Sequence, residues 1–208
     1  RNMPRRQPRV CVEGREAFLD HGVPTDLPIA LMQGAYMDRD RGAAQAVAAL
    51  PEMKGVRLVL VGAGVEWDEA SARVDDLEME GRLHCISKLP FDQLRRLTAS
   101  ADVGLSLDQA GHGNYEMSLP NKLFDFLHAG LPVVCSDLPV AGRFVRENAT
   151  GEVALSADGD EAIAQEITTA VRRVLSSPPA KDHLAEVAER HHWEAHAETV
   201  LRAIHHPG

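Results

Sequence analysis

The chain has 208 residues, 44% of them hydrophobic and 25% charged, which suits one α/β domain or two small ones. A formal net charge of -9 argues against a general nucleic-acid binder, because such a protein needs a basic face to release counterions. No run approaches the about 18 apolar residues of a membrane-spanning helix.

The chain opens on RNMPRRQPR, without an initiator Met, and reads as a segment cut from a longer protein, which leaves a missing partner domain open. Short runs rich in Val, Leu and Ile then mark strands at Ile29 to Gln33, Arg57 to Val61, Leu83 to Ser87, Asp102 to Leu107 and Pro132 to Ser136. Gly151 to Leu155 adds a sixth. Helical spacing predicts helices at Gly42 to Leu50, Trp67 to Glu80, Phe91 to Ser100, Ser118 to Ala129 and Arg143 to Asn148. A longer helix, Asp160 to Leu175, places Ile163, Ile167, Val171 and Val174 on one face and stops at the Ser-Ser-Pro-Pro of 176–179. Lys181 to His191 and Trp193 to Ile204 follow as further helices.

Strands alternating with helices imply βαβ units and a parallel sheet, and near-continuous apolar strands suit a sheet covered on both faces. The expected fold class is therefore α/β, a Rossmann-like doubly wound parallel sheet over residues 28–177 with a helical tail, 178–208, packed on the same domain. Cys11, Cys85 and Cys135 are widely spaced and odd in number, so free thiols in a reducing cytosol are expected rather than a disulfide or metal site.

In such sheets ligands bind beyond the carboxyl ends of the strands, which directs attention to the strand-to-helix loops. GAYMDRDRG, from Gly34, sets Arg39 and Arg41 just before a helix, where guanidinium groups beside helix N-terminal amides can hold phosphate oxygens. The alternative is a solvated pairing with Asp38 and Asp40. VGAGVEW, from Val61, starts like a dinucleotide fingerprint, but Trp67 takes the third Gly's place, so a tight turn is expected and not NAD.

The longest loop, DQAGHGNYEMSLPN from Asp108, leads to Ser118 as an N-cap and Pro120 in the first turn. Lys122 stands in that first turn against the macrodipole, a placement easier to understand if an anion binds there; the alternative is a lysine extending to water. Asn121, Asp125 and His128 share a polar stripe, opposite Leu119, Leu123, Phe126 and Leu127. A carboxylate at Asp125 can accept hydrogen bonds from vicinal hydroxyls such as those of a ribose. Glu116 with Asp125 or Asp108 is a weaker acid/base pairing, and the tail histidines are expected on solvated faces or helix ends. Motifs of serine hydrolases, zinc proteases and P-loop NTPases are absent.

SLPNKLFDFLHAGLPVVCSDLP closely resembles the donor-binding signature of GT-B retaining glycosyltransferases of family 4, or group 1. ALMQGAYMDRDRG, LVLVGAG, RLHCISKLPFDQLRRLTASADVGLSL and the closing HHWE at 191–194 resemble further blocks of that family in the same order. The resemblance implies the C-terminal domain of a two-domain enzyme, with residues 1–27 a linker from the missing N-terminal domain. It implies transfer of a hexosyl group from a nucleotide-diphosphate sugar, with UDP or GDP expected, to an acceptor hydroxyl with retention. By position it implies Arg41 and Lys122 at the donor phosphates, the helix start at Ser118, Leu119 and Asn121 meeting the diphosphate, Asp125 at the ribose, and Ser87, Lys88 and Leu89 lining the base. It implies no metal and no cofactor besides the donor. The acceptor glycan or lipid would be held by the missing domain, so this chain alone would transfer nothing. The full-length protein would be cytoplasmic, with peripheral association at the inner membrane face.

Two departures from the family pattern stand out. Met117 occupies the place of its first Glu, with Glu116 one residue off, and Asp125 is one methylene shorter than the usual second Glu. A nucleotide-sugar epimerase half-domain and a non-catalytic binding module remain open beside the transferase.

Overall fold

The computed structural model describes residues 14–111 and 113–191, so Cys11, the opening segment and the expected helix Trp193 to Ile204 lie outside it. Six strands run as β1 (Ile29–Gly34), β2 (Arg57–Gly62), β3 (Leu83–Ser87), β4 (Val103–Ser106), β5 (Val133–Ser136) and β6 (Gly151–Ala154). They form one parallel sheet in the order β3-β2-β1-β4-β5-β6. The expected α/β class and doubly wound parallel sheet are what the structure shows. The order reverses between β1 and β4, which is where an open parallel sheet parts its connecting helices and leaves a crevice.

The helices are α1 (Glu16–Leu19), α2 (Ala43–Ala49), α3 (Val65–Ser71), α4 (Phe91–Ala99), α5 (Gly113–Glu116), α6 (Asn121–His128), α7 (Ala141–Glu147), α8 (Asp160–Ser176) and α9 (Lys181–Arg190). Strand alternation sends Ala30, Met32, Leu58 and Leu60 to one face, where they pack with Val47 of α2, Leu50 at its C-cap, and Val171 and Val174 of α8. Leu31, Val59 and Val61 go to the other, against Leu123, Phe126 and Leu127 of α6. Leu184 and Val187 of α9 join that second layer. Both faces of the central strands are dry, which is why their sequences are nearly continuously apolar rather than apolar at alternate positions, with Gln33, Arg57 and Ser106 the polar exceptions.

Two expected helices come out shorter. The run from Trp67 to Glu80 breaks: α3 ends at Ser71 and only a 3-10 turn, Leu77–Met79, follows. Between them Arg73 pairs with Asp76 and Glu78 in a local turn, and Glu80 and Gly81 take positive φ of 52° and 64°. Ser, Val and Asp in SARVDD are weak helix formers, and the acidic pair is better used on Arg73. The helix expected from Ser118 starts at Asn121, with Pro120 at the N-cap and no side-chain cap. Pro120 keeps the residue before it out of the α region, so the helix cannot extend back to Ser118.

Close approach decides two glycines. A Cβ on Gly104 in β4 would lie 2.6 Å from the Phe126 ring, so α6 rests directly on the strand backbone. Gly42, at φ 81°, would bring a Cβ to 2.1 Å from the Leu107 carbonyl oxygen, so the start of α2 sits against the end of β4. Gly104→Ala is expected to destabilise the fold by about 1–3 kcal/mol through overpacking. A urea-denaturation midpoint equal to the wild type's would contradict this packing.

Candidate functional site

A cleft of about 490 Å³ opens at the carboxyl ends of β1, β2 and β3 and is closed on one side by the start of α6. Its lining includes Gln33, Tyr36, Arg41, Lys88, Leu89, Asn121, Lys122 and Asp125. Six of the residues expected at the site from sequence thus meet in one cavity. Ser87, Ser118 and Leu119 do not line it: Ser87 is exposed at the end of β3, Ser118 is exposed, and Leu119 is turned into the core. The shift of the helix start to Asn121 is the reason for the last two.

Two loops are bound to one another to place Arg41. The Asp40 carbonyl accepts from the Gln109 amide at 2.9 Å, and Gly42 rests on Leu107, so the β1–α2 loop lies along the chain leaving β4. Arg41 Nη1 then reaches Asp108 Oδ1 at 3.3 Å. Lys122 Nζ, from α6, donates to the same oxygen at 3.0 Å. Asp108 is 1% exposed, Lys122 12% and Arg41 38%. The Arg41 guanidinium also lies 4.8 Å from the centre of the Tyr115 ring, a cation–π contact that limits its rotation. Lys122 is therefore no solvated lysine. Burial pushes its ammonium below the usual lysine range, and the Asp108 carboxylate opposes that shift.

The α2 start differs from expectation. Its amides of Ala43 and Ala44 donate to Glu66 Oε2 at 2.8 and 3.3 Å, so a buried carboxylate from α3 already occupies that helix N-terminus. Burial is also what raises the Glu66 pKa, against those two bonds. Arg39 points away and meets Glu69 on the surface at 3.3 Å, not Asp38 or Asp40. The Gly-Ala-Gly turn serves the loops: a Cβ on Gly64 would lie 2.7 Å from Met37 N, while Met37 N donates to the Ala63 carbonyl at 2.7 Å.

At the far end of the cleft, Lys88 Nζ stands 3.6 Å from the centre of the Tyr36 ring, bridging the β1–α2 and β3–α4 loops. Glu116 Oε1 accepts from Gly111 N at 3.0 Å within its own loop, and Met117 is 76% exposed. His128 borders a small cavity with Asp125 and Arg95. His191 caps α9 with its ring edge-on to Phe144 at 5.0 Å, so it is packed rather than solvated. Asp108, Glu66, Tyr115 and Tyr36 were not assigned these roles from sequence. For Asp108 a signal existed: an acidic residue closes an apolar strand beside the switch point.

A family model described as "Glycosyl transferases group 1" matches residues 28–175. The chitobiosyldiphosphodolichol beta-mannosyltransferase of Candida albicans is 28% identical over 121 residues, which cover 57% of this chain and 26% of that protein. Its Yarrowia lipolytica counterpart is 27% identical over 100 residues, 48% of this chain and 21% of that one. The chain thus spans about a quarter of the length of these curated relatives. Among solved structures, Anabaena HepE in complex with UDP and glucose superposes with a TM-score of 0.72 at 15% identity, covering 91% of this chain and 51% of that one. Sucrose-phosphate synthase from Thermosynechococcus elongatus gives 0.68 at 21% identity, covering 91% and 48%. These structural likenesses concern the fold, which corresponds to about half of each solved chain.

Burial pushes the Asp125 carboxyl up to about 6, with Arg95 opposing. Between the ordinary carboxylate value and about 6 the folded chain holds this proton and the unfolded chain does not. Stability therefore falls as pH rises through that window, and the cost of the buried charge is fully present above it. Asp125→Asn is expected to raise Tm by several degrees at about pH 8 and to change it little at about pH 3.5. A Tm difference that does not grow between those pH values would refute a buried, proton-holding Asp125.

Proposed function

We propose that this chain, which belongs to the group 1 glycosyl transferases, binds a nucleotide-diphosphate sugar in its cleft as the donor part of a hexosyltransferase. The observation that carries this reading is the meeting of Arg41 and Lys122 at one end of a cleft whose wall also carries Asp125. Lys122 and Asp125 are about one helical turn apart, roughly 5 Å along the axis. That is the scale of the separation between a phosphate and its ribose.

In this reading the diphosphate lies against Arg41, Lys122 and the uncapped start of α6, where amides and macrodipole favour anions. Asp125 accepts from the ribose hydroxyls, and the base lies toward Lys88 and Leu89. As the bond to the sugar breaks, negative charge grows on the departing diphosphate, and the fixed cations stabilise it more than they stabilise the intact donor. The chain's own residues supply this without a metal. The acceptor hydroxyl attacks the anomeric carbon from a part of the protein outside this chain, with retention of configuration. Acceptors of glycan or lipid type suit the proposal, although among the described residues no helix is long and apolar enough to cross a membrane.

The likeness to a protein solved with UDP and glucose supports a nucleotide donor. The names of the two fungal relatives make mannosyl the first hexosyl group to try. A thermal-shift panel of UDP, GDP and ADP with their sugars is expected to show stabilisation by UDP or GDP. Arg41→Ala should weaken that binding about 10- to 100-fold, the worth of a charge-assisted hydrogen bond. Asp125→Asn should weaken it about 10-fold while stabilising the fold. No shift with any of the nucleotides sinks the proposal. Interconversion of the donor sugar without an acceptor would point to the epimerase, and the anomeric configuration of a transfer product, read by NMR, separates retention from inversion.

A further inference from the structure

Asp108 is the one member of the cationic cluster that the cleft does not reach. Arg41 and Lys122 line the cleft, whereas Asp108 borders a separate cavity of about 220 Å³ behind them, at the ends of β4, β5 and β6. Its Oδ1 takes both cations, and its Oδ2 is buried without a hydrogen-bond partner among the described residues. A buried carboxylate with half its accepting capacity unused is a poor device for stability, since desolvation is offset only by what it holds. What it holds is two like charges from distant segments, facing the cleft side by side.

We propose that Asp108 is a positioning residue of the donor site, keeping the Arg41 guanidinium and the Lys122 ammonium adjacent and charged so that they meet a diphosphate ready-made. This rests on the donor-site reading above. Removing the carboxylate's charge while keeping its shape leaves a desolvated lysine beside an arginine, with Glu66 of α3 the remaining carboxylate that acts on it from further off. Such a lysine gives up its proton more readily, and a neutral amine holds phosphate poorly. Binding to the altered site must then be accompanied by proton uptake, and so weaken as pH rises. In the wild type the carboxylate holds the proton on the lysine to higher pH, so affinity falls less over the same range.

The test is calorimetry of UDP and of GDP with the full chain and with Asp108→Asn, between about pH 7.5 and about pH 8.5, where the phosphates stay ionised and the bases neutral. Wild-type affinity should change the less of the two over this range. Asp108→Asn should bind about 10-fold more weakly near pH 7.5 and lose a further several-fold by about pH 8.5. Uridine and guanosine, which lack phosphates, should bind both proteins alike. If Asp108→Asn does not fold, Asp108→Glu carries the test: it keeps the charge but displaces the cations, so affinity should drop several-fold with the wild type's pH dependence. Equal or tighter diphosphate binding by Asp108→Asn, or a pH slope no steeper than the wild type's, overturns the proposal; for Asp108→Glu, wild-type affinity or a slope steeper than the wild type's does so. If the wild-type chain binds neither nucleotide, the donor-site reading falls and takes this inference with it.

Discussion

One buried carboxylate oxygen joins three parts of the chain that are far apart in sequence. Asp108 leaves the end of β4, Arg41 comes from the loop after β1, and Lys122 from the first turn of α6. These are the segments that flank the point where the sheet order reverses. Without their mutual attraction two cations would face one another in a partly dry site. Coulomb repulsion at such distances is not small once water is excluded. The carboxylate lets both point into the same cleft, and every functional statement about the site depends on that.

The surrounding packing makes this geometry rigid. Gly42 and Gly104 remove side chains where backbone must approach backbone or a ring must lie on a strand. The first pins the Arg41 loop to β4, and the second seats α6, and so Lys122, on the same strand. Glu66 then settles which helix start is open. It covers the amides of α2, while α6 has Pro at its N-cap and no side-chain cap. Of the starts of α2 and α6, that of α6 is the one left to attract a ligand's negative charge. Asp125 sits one turn further along, and its burial disfavours its own ionisation. Groups set against their solvation in this way gather where a ligand supplies what the protein withholds.

The sheet was legible in the sequence because its central strands are nearly continuously apolar, as a sheet covered on both faces requires. The expected ranges lie within a residue or two of those seen, from Ile29–Gly34 to Gly151–Ala154. The failures were local and have local causes. Ser118 looked like a cap, but Pro120 forbids the preceding residue the helical conformation. The helix drawn through SARVDD ignored how readily Asp76 and Glu78 turn back onto Arg73. Arg41, Lys122 and Asp125 could be singled out because a short motif places them at a helix start or a strand end. Glu66 and Tyr115 could not, since acidic and aromatic residues in loops and helices carry no such local signature.

By itself the sequence determined the α/β class, the order of strands and helices, and the family, since apolar periodicity and the PNKLFDF motif are properties of contiguous residues. The tertiary structure alone decided which charges meet. Arg41 and Asp108 are separated by 67 residues, and Lys122 follows Asp108 by 14. Their contact exists because parallel strands β1 and β4 lie side by side and carry their carboxyl-end loops to one edge. The same packing buries Lys122 and Asp125, and burial sets how firmly each holds its proton. Periodicity along a chain records which face of an element is dry, but not which charged group stands across from it.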